Sequence, residues 1–506
     1  MEAGPAVFKT VCGGAVVASR VSSISHPSPS NAVDSYPGER CTSGLVVEPS
    51  TTQVLRTSRV RIEPALQFGS VARRTFSRFA PRSTRLQAAA ARVLGDGRLL
   101  WCIVGIVAIQ RVLADLPVFL PSGADGYEVI GVARQALSNP GAIYTESAAQ
   151  IAAGFPYFAN SPPPGILIAI PFTFLAPPAD VWSWVVANAL MSLAGLVMIY
   201  RAVGPRSRWA LPVSVLVVLC FTPLFEDIRL GQRGGPLMLL TGAAMLTVRR
   251  HPASAGLITG IATSIKFYPA ALALSVGPRQ WWRFTAALIT TAAGVLLVTF
   301  IPFGSPVFYL TKVLIPASAG GGPASTHDCF QNSTPLLFSR LVGGSSFSVI
   351  NTSGVWKDVT LVPWHLPWLA QVLTYLTIGA LVVGTVWAAW RSRWAQPYSM
   401  SLAFSLGALV PGHVYTYQFI SILPMTIVLV LRTIETQRWG VVALAGIAEL
   451  ILINSPCALA FPGLWTVAGL AIFAAAVAQA ELFLDDARLV PTKSGDGRLD
   501  RDLGTG

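Results

Sequence analysis

Long apolar stretches separated by short polar ones fill residues 99–484. The first covers roughly 99–120; others follow near 165–177, 181–201, 210–226, 234–248, 254–277, 283–303, 368–390, 396–411, 415–431, 438–456 and 461–484. Most have the ~17–25 residues a helix needs to cross a bilayer. The pattern predicts an all-α integral membrane protein, polytopic, with about 10–13 transmembrane helices. Two segments fit poorly. Segment 165–177 is short for a span, and 254–277 has basic flanks at both ends, Arg250 on one side and Arg279 and Arg283 on the other. One or both are expected to be broken or re-entrant, which a membrane protein tolerates where the freed backbone lines a cavity.

The polar interruptions are unequal. Residues 122–164 form an island opened by Asp125, Gly126 and Tyr127, followed by an amphipathic pattern with Val129, Ala133 and Leu137 on one face. Ser138-Asn139-Pro140-Gly141 should end that helix, and Pro162, Pro163 and Pro164 suit the start of the next. A loop of this length with its own helix is usually functional rather than connecting. A second polar stretch, 304–367, contains His327-Asp328-Cys329 and Gln331-Asn332-Ser333. Residues 1–95, rich in Ser, Pro and Arg, read as a disordered basic cytoplasmic tail; 96–484 as the transmembrane domain; 485–506 as a second disordered cytoplasmic tail.

Composition supports the membrane reading: 53% of residues are hydrophobic, only 12% are charged, and the mean hydropathy is +0.58. A net charge of +13 raises the question of nucleic acid, but the arginines cluster in short loops and the N-terminal tail, as the positive-inside rule expects. No nucleic-acid partner is therefore expected. The same rule puts both termini in the cytoplasm, and residues 122–164, 227–233, 304–366 and 412–414 outside. Arg111 and Asp115, four residues apart in the first segment, are spaced to pair. Six scattered cysteines show no CxxC and no metal-ligand spacing, and His327, Asp328 and Cys329 are adjacent rather than ligand-spaced, so no metal is expected, nor is a cofactor; Cys329 and Cys457 both fall outside and could pair.

Four features carry candidate chemistry. Asp125 is a loop acid, commonly solvated, and here a candidate catalytic residue. Glu226, Asp227, Arg229 and Arg233 crowd the turn 226–233, which reads as either a solvated hairpin or a charged site. Lys266, mid-segment in SIKFYP, costs about 2.5–3.5 kcal/mol at bilayer mid-depth and needs an acid on another helix or an anionic ligand. Pro269 could break the helix beside it. His413 lies in PGHVYTYQF beside Tyr415 and Tyr417, which suit a sugar-binding rim.

Asp125 in the first outer loop, NSPPP, LGQRGGPLMLL, IKFYP and FQNST occur in this order. In order and spacing they resemble glycosyltransferase family 87, bacterial membrane enzymes of the C-type fold, over roughly residues 100–480. Two positions depart from the family's pattern: Ser161-Pro162-Pro163 stands where Tyr-Pro-Pro is common, and Pro411-Gly412-His413 where a Trp-Asp-His cluster is usual. The resemblance implies an inverting transferase in the bacterial plasma membrane with an outer-face active site. Its donor would be a polyprenyl-phosphate sugar (mannose or another hexose, or arabinofuranose), and its acceptor an envelope glycan or glycolipid. It implies Asp125 and His413 as catalytic residues, Lys266, Arg229 and Arg233 at the donor phosphate, and Gln232, Asn332 and Tyr127 at sugar or acceptor. Two other readings compete: a secondary transporter, which also uses broken helices and buried charges, and an inactive lipid-glycan-binding scaffold. No internal repeat favours the transporter.

Overall fold

The computed structural model describes residues 11–12, 15–16, 97–119, 124–152, 161–205, 207–318, 330–350, 356–412, 414–454, 461 and 463–483. Within the helix at 97–119, the side chains of 114–119 lie outside this description, as do those of 124, 348–350 and 356–357. The chain divides into two units, residues 1–80 and 81–506. In the first, strands β1 (Val11–Cys12) and β2 (Ala15–Val16) pair antiparallel; the rest of the expected N-terminal tail up to 96, and the C-terminal tail, lie outside the described residues.

The second unit is a helical bundle. Helix α1 (Gly97–Phe119) is followed by α2 (Ala124–Ser138), α3 (Ile143–Ala152) and the short α4 (Pro163–Leu167). Then come α5 (Ala179–Val203), α6 (Ala210–Cys220), α7 (Thr222–Leu230), α8 (Gly234–Thr247), α9 (Pro252–Ile265) and α10 (Pro278–Phe303). The later part holds α11 (Thr334–Leu341), the hairpin of β3 (Phe347–Ile350) with β4 (Trp356–Val359), α12 (Pro367–Arg391), α13 (Gln396–Leu409), α14 (Leu423–Glu435), α15 (Trp439–Leu452) and α16 (Leu464–Ala478).

Among the described residues, four helices are long and apolar enough to span alone: Ala179–Val203, Pro278–Phe303, Pro367–Arg391 and Thr416–Glu435. The bent pair α6–α7, with 59° between its halves, makes a fifth if counted as one span. Five more apolar helices have only 10–17 residues. The difference from the count of 10–13 comes partly from unbroken helices of only 14–15 residues, such as α8, α13, α15 and α16, and partly from broken segments. Segment 165–177 forms α4 and then a 3-10 turn, Ile170–Phe174. Segment 254–277 forms α9, stops at Lys266, and continues as the 3-10 stretch Tyr268–Ser275. Both suspect segments are thus interrupted.

Two buried clusters hold the bundle. The larger joins α13–α16 to α6, α8 and the 3-10 stretch Tyr268–Ser275. The smaller seats the 122–164 island: Val129, Ile130 and Ala133 of α2 and Tyr144 of α3 pack with Trp184 of α5 and with Phe300 and Phe303 of α10. Leu137, expected on the buried face of α2, is 53% exposed; the buried stripe runs through Val129, Ile130, Ala133 and Ala136 instead. Arg134 ties α2 to the start of α5 through Asp180, at 2.6 Å. Helices α9 and α10 approach through Gly256 and Gly260, where an added Cβ would lie 2.1 Å from Phe284 O and 2.7 Å from Leu288 O. This is the small-xxx-small device that lets helix backbones touch in a bilayer. Ile228 of α7 packs against both clusters, so α7 and the turn after it lie where they meet.

Candidate active site

The charged stretch 226–233 proves to be a helix end rather than a hairpin. Helix α7 runs through Leu230 and is closed by Gly231, which takes the left-handed conformation (φ 70°) that favours glycine. A Cβ on Gly231 would lie 2.9 Å from the Cα of Gly126, so the turn presses on the first turn of α2. Trp184 Nε1 fixes it from α5 by donating to Gly231 O at 2.6 Å.

The next four residues each make a distinct contact. Gln232 Nε2 donates to Asp125 Oδ2 at 2.6 Å, joining residues 107 positions apart. Arg233, 9% exposed, donates from Nε to Gly165 O at 2.5 Å, just after the proline run. Gly234 N donates to Asp227 Oδ1 at 3.1 Å, and Gly235 N to Asn188 Oδ1 at 2.7 Å. Asn188 Nδ2 in turn donates to Asp227 Oδ2 at 3.0 Å. Asp227 therefore occupies the N-terminus of α8 as its carboxylate cap, where the helix dipole favours negative charge. A ligand phosphate must be held elsewhere.

Lys266 terminates α9 with extended backbone (φ −147°, ψ 138°). Its Nζ lies 5.3 Å from the centre of the Tyr417 ring and within electrostatic reach of Arg233, Asp227 and Asp125. Among the described residues it forms no ion pair within 4.0 Å. Arg233 likewise forms none, and it acts electrostatically on Asp125 and Glu128. Two cations thus lie within electrostatic reach of each other and of nearby acids, with no carboxylate clasped to either among the described residues, an arrangement suited to an added anion. Arg229 differs: its Nη2 is engaged by Glu226 Oε2 at 2.5 Å.

Asp125 is half-buried in the first turn of α2. Burial pushes its carboxyl above the ordinary value of 3.8, opposed by the Gln232 hydrogen bond and by Arg229 and Arg233. Glu128, one turn on, interacts electrostatically with both Asp125 and Arg233. Tyr127 lies two residues from Asp125, about 200° around the helix, and is 48% exposed, so its side chain leaves the cluster.

Asn332 sits fully buried in the FQNST loop, which is stitched to 412–416: Asn332 N donates to Val414 O at 2.7 Å, Ser333 Oγ to Gly412 O at 2.7 Å and Thr416 N to Phe330 O at 3.1 Å. Gln331 Nε2 donates to Tyr415 OH at 3.1 Å, and Tyr415 stacks parallel to Tyr417, beneath Lys266. Gln331 is thus the residue of this loop that reaches the tyrosines, with Asn332 buried beside it. His413 lies outside the described residues, between two that this loop binds; Cys329 and Cys457 lie outside them too. Arg111 lies 4.3 Å over the Phe225 ring, while the Asp115 side chain is outside the description. Among the described residues, no three His, Cys, Asp or Glu side chains gather as metal ligands.

A model of glycosyltransferase family 87 matches residues 160–410, a stretch that contains α7, the LGQRGGP turn, Lys266 and Asn332. The chain belongs to glycosyltransferase family 87. It is a multi-pass membrane glycosyltransferase. No curated protein and no solved structure matches it. Asp125, Tyr127 and His413 fall outside the matched stretch, and Asp125 meets it through Gln232. Asn188 is a residue of this glycosyltransferase that sequence reasoning missed. Its signal was a lone amide in the apolar run VVANALM, where an intramembrane polar group marks a partner on another helix.

Proposed function

We propose that this glycosyltransferase takes a sugar (mannose or another hexose, or arabinofuranose) from a polyprenyl-phosphate donor. The acceptor is a hydroxyl of an envelope glycan or glycolipid on the outer face of the bacterial plasma membrane. The supporting observation is the gathering of Asp125, from the outer island, with Lys266 and Arg233, two cations that clasp no carboxylate. Asp125 accepts the proton of the acceptor hydroxyl as its oxygen bonds to the anomeric carbon. The bond from that carbon to the phosphate oxygen breaks, its electron pair leaves with the polyprenyl phosphate, and attack from the opposite side inverts the anomeric centre. Lys266 and Arg233 neutralise the charge growing on the phosphate, which is electrostatic stabilisation of the transition state. Arg229, bound to Glu226, acts on Asp125 rather than on donor. Tyr415 and Tyr417 line the sugar side, backed by the buried FQNST loop that holds Asn332, with His413 assigned to the same rim.

Family membership removes the transporter alternative, and an inactive scaffold remains distinguishable by one substitution. Purified enzyme is assayed with radiolabelled polyprenyl-phosphate mannose and arabinose and a crude envelope-lipid acceptor. Wild type should transfer one of the sugars, and folded Asp125→Asn, nearly isosteric, should lose about 10²–10⁴-fold in rate. Equal transfer by both proteins would remove Asp125 as the base. No transfer from either donor would discard the donor assignment.

A further inference from the structure

We infer that Gln232 is a positioning residue for the base, holding one oxygen of Asp125 so that the other meets the acceptor hydroxyl, and is not itself a sugar ligand. This rests on Asp125 being the base. Gln232 is 7% exposed, and its side-chain amide is committed to Asp125 Oδ2 at 2.6 Å. Its main chain is fixed as well, since Gln232 N donates to Asp227 O at 2.9 Å. The preceding residue, Gly231, is pinned by Trp184 and touches Gly126, so the backbones of Gln232 and Asp125 are held at a set separation. A carboxylate on a first helical turn can occupy more than one staggered rotamer unless something holds it. Of its two oxygens, Oδ2 is the one Gln232 holds, and Oδ1 has no hydrogen bond to the described residues. A partly buried, single, short bond of this kind selects one rotamer and favours the ionised form, which is the form that accepts a proton.

The surroundings of Asp125 limit how else that preference could arise. Arg229 and Glu226 face it from α7, Arg233 from the following turn, Glu128 from its own helix, Lys266 from the end of α9, and Tyr417 from the stretch before α14. The Gln232 bond is the largest influence opposing burial of the Asp125 carboxyl. Removing it should therefore raise the pH at which the base becomes active.

The test measures kcat and KM for the lipid donor from pH 4 to 9 in wild type, Gln232→Met, Gln232→Asn and Asp125→Asn. Methionine keeps the volume without the donor, and asparagine keeps the amide but falls a methylene short. Both should lower kcat about tenfold and move the acid limb of kcat/KM up by about one pH unit, with donor KM changed less than about twofold. An acid limb that stays in place while donor KM rises tenfold would overturn the inference and make Gln232 a donor ligand. If Gln232→Met does not fold, Gln232→Asn decides by the same readings. Retained transfer by Asp125→Asn would instead sink the base assignment, whatever the Gln232 variants do.

Discussion

At the scale of single residues, the LGQRGGP turn shows how little freedom the site leaves. A Cβ on Gly235 would lie 2.2 Å from both the carbonyl and the side-chain oxygen of Asn188, and a backbone carbonyl cannot swing aside. Gly235→Ala should therefore displace the Asn188–Asp227 contact and destabilise the fold by about 1–3 kcal/mol. The measurement is thermal unfolding in detergent, with Gly131→Ala as the control, since its Cβ would meet nothing within 4 Å. Equal melting temperatures for the two variants would show that the turn adapts. The sequence pointed to Asp125, Lys266 and the charged run 226–233, because charge inside an apolar chain is conspicuous. It did not separate Arg233, which binds Gly165 O, from Arg229, which Glu226 occupies. The two arginines are four residues apart, and only the helix end between them sends their side chains to different partners.

At the scale of elements, breaks matter more than spans. Helix α9 stops at Lys266, and α7 is bent 59° from α6 at Phe221. These breaks bring a lysine and a charged helix end inside the bundle without placing either in the middle of a lipid-facing helix. Pro269 and the basic flanks of 254–277 announced the first break, and the double-inside topology was the clue. The second was not announced: 210–226 looks like one uniform apolar run until Thr222-Pro223. In α15, Glu449 is 8% exposed, and among the described residues neither of its carboxylate oxygens has a hydrogen-bond partner. Glu449→Leu should therefore stabilise the protein by about 1–3 kcal/mol, since the unsatisfied acid is replaced by an apolar side chain. A higher melting temperature with unchanged transfer is the expected result; lower stability would mean that the carboxyl has a partner in the membrane.

At the scale of the whole molecule, the proposed outer-face chemistry depends on orientation. In a cysteine-free background, Tyr127→Cys should react with a membrane-impermeant maleimide on intact cells, and Arg393→Cys only after permeabilisation. The reverse pattern would turn the site to the cytoplasm. The sequence by itself determined the all-α membrane class, the polar island at 122–164, an expected break in segment 165–177, in 254–277 or in both, and the resemblance to a glycosyltransferase family. These follow from local quantities, namely how many apolar residues stand in a row, where prolines and arginines fall, and which short motifs recur. Tertiary structure alone decided which groups meet. Asp125 and Gln232 are 107 residues apart, Lys266 reaches Tyr417 from a distant helix end, and Asn188 caps the same turn as Asp227 from α5. Such pairings depend on helix packing and on the backbone contacts that the glycines of the turn allow. Hydrophobic periodicity says which face of a helix turns inward, but not which side chain waits there.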